Sequence, residues 1–208
     1  MIISILKHHL NQTKQGKSKM LLSKLNKYIA AGFDNRFWYE ESNASALRFC
    51  KRNNLDLRTF LTVVAILSPR VQVSRNIRLA KQWVLEDRNP AGMMSQRKAA
   101  LIAYHSTGRV SGTKINAFLD SLLLKPGTVC IDVHMSRVFG YDDGSLMLNS
   151  KKWATLRGKA QSIVRRLAKR HNVTSFQMQA ILWCGYLRTE RNYSESNFSA
   201  MNFDGGEE

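Results

Sequence analysis

Apolar and polar positions recur along this chain with the period of a helix, and strand-like alternation is scarce. In "NNLDLRTFLTVVAILS" an almost unbroken apolar run follows capping-type residues at Asn53, Asn54 and Asp56 and stops before Pro69. Its length, with Leu57, Phe60, Val64 and Leu67 in helical register, predicts a central helix over a buried strand. "VSRNIRLAKQWVLE" puts Ile77, Ala80 and Val84 on one face and is expected to be capped by Ser74. "NASALRFCKRN" is a shorter amphipathic stretch, and "DRNPAGMM" reads as a loop. "SQRKAALIAYHSTGRVSGTKINAFLDSLL" divides at "TGRVSG" into two helices, Ser95 to about His105 and Gly112 to about Leu123. Their linker, with glycine at both ends, is close to the shortest that reverses direction.

After the turn "KPGT", the segment "VCIDVHMSRVFGY" starts extended and becomes a helix with Val133, Val138 and Phe139 inward. Asn149 or Ser150 caps a long basic helix to His171, with Trp153, Leu156, Ala160, Ile163, Val164 and Leu167 inward. Thr174 or Ser175 opens the last helix, "FQMQAILWCGYLRTER". The fold class expected is all-α, as a single domain over 1–208 in two lobes. One lobe spans about 55–140, with the hairpin at 95–123 and the aspartate segment at 129–141. The N-terminal helices and 149–192 form the other, and the polar stretch 193–208 is expected to be a flexible tail.

Composition narrows the partner. The chain has 208 residues, of which 32 are Lys or Arg and 15 Asp or Glu, a net charge of +17. The basic residues are spread in runs at Lys7 to Lys27, around Arg70 to Lys81 and at Lys151 to Arg170, which suits a folded face for a polyanion. No apolar run approaches the roughly 20 residues that span a bilayer, and "MIISIL" is too short for a signal-peptide core. An intracellular, cytoplasmic or nucleoid-associated protein without membrane contact is expected. Cys50, Cys130 and Cys184 are scattered without a CxxC pair. Three thiols are too few for a four-cysteine iron–sulfur cluster, and their spacing disfavours a structural zinc; no metal is expected in the site.

The candidate chemistry lies at Lys114 and Asp132, 18 residues apart and separated by one helix and one turn. A lysine in the first turn of a helix opposes the dipole. Lysine amines are nucleophiles once deprotonated, which crowding by positive potential favours. Asp132 opens its own helix, where backbone N–H groups hold a carboxylate ionised. Singly, each is more often a surface lysine and a plain N-cap. Together, after a glycine-bearing hairpin on a basic protein, they suggest a constellation.

In this region the sequence resembles the helix-hairpin-helix DNA glycosylases with a Gly/Pro-rich loop and an essential aspartate. Their hairpin reads approximately LPGVGxK and is followed by a V-D-x-H segment; here "VSGTK" and "IDVHMSR" stand in those places. The order "GTK … IDVHM" is closest to the cluster-free 8-oxoguanine glycosylase/AP lyase branch, and "QAILWCGYLR" is like the end of its short archaeal and phage-type members. "FLTVVAILSPRVQVSRNIRLA" is similar to the family's LLSxQxxDxxV region, so the likeness runs from Phe60 to about Tyr141. The hairpin departs from the pattern, with Gly108, Arg109 and Val110 where Leu-Pro and the first Gly are usual.

The resemblance implies a two-lobed enzyme that flips a damaged or modified base out of double-stranded DNA and excises it, acting as a monomer. It makes Lys114 and Asp132 catalytic, with abasic-site lyase activity through the lysine. It gives the DNA backbone to Gly108, Arg109, Ser111, Gly112, Thr113 and His134. A monovalent cation held by the hairpin is possible in such a fold; no other cofactor is implied. Arg70 and Gln72 become candidates for the wedge that fills the vacated gap, and Phe37, Trp38, Gln179 and Trp183 for the base pocket. The substrate is left open between oxidised guanine and a hypermodified base of viral DNA, the latter a defence role. A helix-hairpin-helix protein that binds DNA without chemistry, or a basic RNA-associated protein, are the alternatives.

Overall fold

The apolar run around Phe60 forms the helix at the centre of the protein, with every residue from Phe60 to Leu67 buried. The computed structural model describes residues 19–69, 71–86, 93–141, 144–148, 150–194 and 198–204; Arg70 and Asn149 lie outside them. Among the described residues all regular structure is helical. Helix α1 is described over 19–32, and a 3₁₀ turn at Phe33–Phe37 leads into α2 (Trp38–Arg52). There follow α3 (Leu57–Leu67), α4 (Val73–Leu85), α5 (Ser95–Thr107), α6 (Thr113–Leu122) and α7 (Val133–Val138). A second 3₁₀ turn, Ser145–Met147, precedes α8 (Lys151–Arg170) and α9 (Ser175–Glu190).

Two packing neighbourhoods emerge. Helix α3 touches α2, α4, α5 and α6, while α9 touches the first 3₁₀ turn, α2, α7 and α8. Helix α2 belongs to both. Sequence order places the aspartate segment with the hairpin, yet α7 packs on α9, with Met135 and Val138 fully buried.

Local capping explains most boundaries. The Asp56 carboxylate accepts the Thr59 N–H at 2.7 Å and starts α3. Thr174 and Gln177 form a reciprocal capping box that starts α9. Helix α4 differs from expectation: it begins one residue before Ser74, after Gln72, with no side-chain cap. Asn76 ties it to α3 by donating to the Val64 carbonyl at 3.2 Å, so packing supplies what the cap does not. Val133 is only half-buried, because it faces the cleft described below.

Helices α1 and α9 cross with their backbones in close approach. A Cβ on Gly185 would overlap the Tyr28 carbonyl, and one on Gly32 would overlap the Ile181 carbonyl. Only glycine fits both places.

The polar tail is not a free tail over 198–204. Phe198, Met201 and Phe203 are buried, and Phe203 meets the Phe60 ring edge-on at 5.0 Å. Ser42 and Ser45 on α2 accept the backbone N–H groups of Met201 (2.9 Å) and Phe203 (2.7 Å). Asp204 pairs with Arg48 (2.6 Å) and Arg52 (2.8 Å). This strap lies along α2 and corrects the expected flexible end. Its three apolar side chains find a groove that the sequence does not announce.

Candidate active site

A cleft of about 690 Å³ opens between the α3–α4 corner, α6, the start of α7 and α9. Both Lys114 and Asp132 line it. Around them stand Ser68, Gln72 and Asn76 from the corner, Phe118 from α6, His134 from α7, and Gln179 and Trp183 from α9. Trp38 and Tyr39 of α2 and Met201 of the strap close the back.

Lys114 sits in the first turn of α6, half-buried. Its Nζ donates to Ser68 Oγ at 2.6 Å and lies 4.9 Å from the centre of the Phe118 ring. Ser68 Oγ in turn donates to the Ala65 carbonyl at 2.9 Å, so its proton is spent there and a lone pair meets the lysine. Ser68 ends α3, so the central helix delivers the hydroxyl that holds the amine.

Asp132 follows a buried extended stretch, Val129 to Ile131. Helix α8 holds the start of that stretch, the turn before it and the second 3₁₀ turn with one row of side chains four apart. Gln161 donates to the Val129 carbonyl and Arg165 to that of Gly127, both at 3.0 Å, and Arg157 donates to Leu146 and Leu148, also at 3.0 Å. Asp132 Oδ1 accepts the Met135 N–H at 2.7 Å, which makes it the N-cap of α7. The Cys130 thiol reaches the Lys114 carbonyl at 3.7 Å and brings the two segments side by side. Burial pushes that thiol up to about 12, against the pull of Lys114, so Cys130 is a neutral filler and not a nucleophile.

The polar groups of the cleft are ordered by their neighbours. The Tyr39 hydroxyl donates to Gln179 Oε1, leaving the Gln179 amide N–H groups for other partners. Burial, reinforced by the nearby Cys130 and Asp132, holds the Tyr39 phenol well above its ordinary range, so it remains a donor. His134 packs beside Trp183 and Tyr186, with ring centroids at 6.4 and 6.1 Å. Burial lowers its pKa, with Arg137 and Arg191 adding to the effect and Asp132 opposing it. Its Nδ1 is buried without a partner among the described residues.

The remaining candidates separate. Gln72 and Trp183 line the cleft. Trp38 does too, but its indole N–H donates to the Phe198 and Ser199 carbonyls at 2.9 and 3.0 Å, so it anchors the strap as well. Phe37 does not join them: it is 42% exposed outside the cleft, with the Arg36 guanidinium 4.5 Å from its ring centre. Arg70 lies outside the described residues. Tyr39, Ser68, Asn76, Phe118 and Met201 join the site without having been singled out by the sequence pattern. Ser68 had a signal, a hydroxyl closing an apolar helix just before proline, whereas Met201 had none.

The hairpin has the geometry its glycines permit. Gly108 (φ 66°) ends α5 in the left-handed region and donates to the Tyr104 carbonyl at 2.7 Å; Gly112 (φ 101°) starts α6. Gly108, Arg109, Ser111, Gly112 and Thr113 are all exposed. Gly112, as N-cap, brings no side chain to the first turn of α6. The Asn116 amide donates to the Val110 (3.2 Å) and Gly112 (3.0 Å) carbonyls. Each of these carbonyls thus accepts a hydrogen bond from within the hairpin. Among the described residues no group of three or more His, Cys, Asp or Glu side chains gathers in one place. No described helix is long and apolar enough to cross a membrane.

A family model described as "Family of unknown function (DUF7178)" matches residues 25–191. Comparison with curated proteins and with solved structures found no match.

Proposed function

The chain belongs to that family, DUF7178, whose description supplies no activity, and we propose from the site itself that it is a DNA glycosylase. It excises a damaged or modified base and, through Lys114, cleaves the abasic site left behind. One observation carries this reading: Lys114 and Asp132, on different elements, line one cleft beside the exposed hairpin. The two-lobed helix-hairpin-helix glycosylase fold is part of the same proposal, supported by the two packing neighbourhoods and the α5–α6 turn.

The chemistry follows from the positions. The exposed start of α6, at the positive end of its dipole, with Arg109, holds phosphates of the duplex. The target nucleotide rotates into the cleft, where Trp183 offers a stacking face and Gln179 an amide edge. As the C1′–N bond breaks, positive charge develops at the sugar, and the Asp132 carboxylate stabilises it. After the Lys114 ammonium gives a proton to solvent, its amine forms a bond to C1′ as the C1′–N bond to the base breaks. The base departs with that pair and takes up the proton that the newly bonded nitrogen sheds. Ring opening gives a Schiff base between Lys114 and C1′. Loss of a C2′ proton then expels the 3′ phosphate by β-elimination and nicks the strand. The cleft volume lies well within the range of small-molecule sites and admits a base with a bulky substituent.

Borohydride trapping on duplexes with a damaged base or an abasic site tests the reading. A covalent adduct that disappears in Lys114→Ala is the expected result. Base release persisting without Lys114 restricts the enzyme to Asp132 and water. Salt-sensitive binding that survives Asp132→Asn, without release of any base from a panel of damaged and virus-modified DNA, overturns the reading in favour of a non-catalytic binding protein.

A further inference from the structure

Helix α8 carries more positive charge than the site uses. Its sequence, KKWATLRGKAQSIVRRLAKR, holds eight Lys or Arg and no Asp or Glu over 20 residues. Arg157 is committed to the Leu146 and Leu148 carbonyls at the second 3₁₀ turn, and Arg165 to the Gly127 carbonyl just before the aspartate segment. The other six, Lys151, Lys152, Lys159, Arg166, Lys169 and Arg170, are all exposed. Among the described residues none of the six has an acidic partner. Lys152 rests 4.7 Å from the Trp153 ring centre, which leaves its charge uncompensated.

These six share one face. At helical pitch, Lys152, Lys159 and Arg166 recur every two turns, and the other three flank them. The opposite face, with Ala160, Val164 and Leu167 buried, packs on α9 and the second 3₁₀ turn. From Lys152 to Lys169 the stripe is about 26 Å long at 1.5 Å per residue, most of a turn of duplex. Like charges one and two turns apart repel, and two lysines at the helix start oppose its dipole. A helix built this way is at a disadvantage alone and is relieved by a polyanion along its length.

We infer that the outer face of α8 is a second duplex-DNA site, binding backbone phosphates of the same DNA whose target base occupies the cleft. This rests on the reading of the ligand as duplex DNA, but not on the excision chemistry. The α8 stripe is separate from the hairpin: it lies across the helix from the row of Arg157, Gln161 and Arg165 and reaches phosphates beyond the flipped base. It increases affinity for any sequence and leaves base choice to the cleft.

Equilibrium binding to undamaged duplexes of about 12 and about 30 base pairs, over a series of salt concentrations, tests this with the full chain. The variant Lys159→Gln/Arg166→Gln/Arg170→Gln changes only exposed positions. On the longer duplex its slope of log K against log salt is expected to fall by about 2 to 3, at about 0.9 for each phosphate no longer neutralised. A second variant, Lys24→Gln/Lys51→Gln/Arg58→Gln, removes equal charge from other exposed positions and is expected to leave the slope nearly unchanged. Equal loss in both variants, or none in the first, overturns the proposal. So does a loss confined to structured RNA. Base release under saturating substrate is read separately, so a failure of the excision chemistry leaves the slope interpretable.

Discussion

Lys114 Nζ and Ser68 Oγ are 2.6 Å apart, a bond that joins the start of α6 to the end of the central helix. The amine proposed as the nucleophile is thus positioned by α3, while the Asp132 carboxylate is positioned by α7 and α8. The two halves of the chemistry rest on different parts of the scaffold, so they can be perturbed one at a time.

Removing the hydroxyl frees the lysine. Ser68→Ala is expected to slow Schiff-base formation about fivefold, since the hydrogen bond that orients the amine contributes a net of about 1 kcal/mol. Ser68→Thr keeps the hydroxyl and should keep most of the rate. Single-turnover borohydride trapping reads both.

Asp132 caps α7 and is proposed to stabilise the sugar cation, and two substitutions part these roles. Asparagine caps a helix about as well as aspartate, so Asp132→Asn should retain stability while base release drops about 10²-fold or more. Asp132→Ala should lose about 1 kcal/mol of stability in addition. Urea unfolding beside base-release rates separates the cap from the catalyst.

The Asn116 bonds across the hairpin lead to a salt-identity prediction. Replacing K⁺ by a large organic cation at constant ionic strength should leave duplex binding unchanged. In Asn116→Asp a carboxylate faces the Val110 and Gly112 carbonyls, and binding is expected to acquire a dependence on the alkali cation. Fluorescence anisotropy in matched buffers is the measurement.

Burial lowers the His134 pKa, so the folded protein binds that proton less readily than the unfolded chain does. Its share of stability is therefore complete above the ordinary histidine range near 6.5 and is lost as pH falls from there toward the lowered folded value. The difference in urea midpoint between pH 7.5 and pH 5.5 should shrink in His134→Gln. An unchanged difference would exclude His134 as its source.

Gly185→Ala places a methyl group against the Tyr28 carbonyl, a backbone atom with little room to retreat. A loss of about 3 kcal/mol or more is expected, at the top of the range for overpacking. Chemical denaturation measures it, and Gly158→Ala, where a Cβ meets nothing within 4 Å, is the control within a helix.

Periodicity made most of the helices legible, since the helix Leu57–Leu67 and the split at "TGRVSG" depend on local pattern alone. The pairing of Lys114 with Asp132 was legible through its spacing, and the cleft holds both. What was hidden depends on distant partners. Gly185 reads as a weak point in a helix until α1 crosses it. Phe37 and Trp38 are adjacent aromatics, yet one stacks under Arg36 and the other lines the cleft, because the chain passes from a 3₁₀ turn into α2 between them. Phe198, Met201 and Phe203 have no helical period, and their place was decided by Ser42, Ser45 and the aromatic cluster around Phe60.

The strap lies beyond residue 191, where the family match stops, and its Met201 lines the cleft. A chain cut after residue 191 would keep α3, α6, α7 and α9, the elements that carry Ser68, Lys114 and Asp132, and would lose the Met201 wall of the cleft.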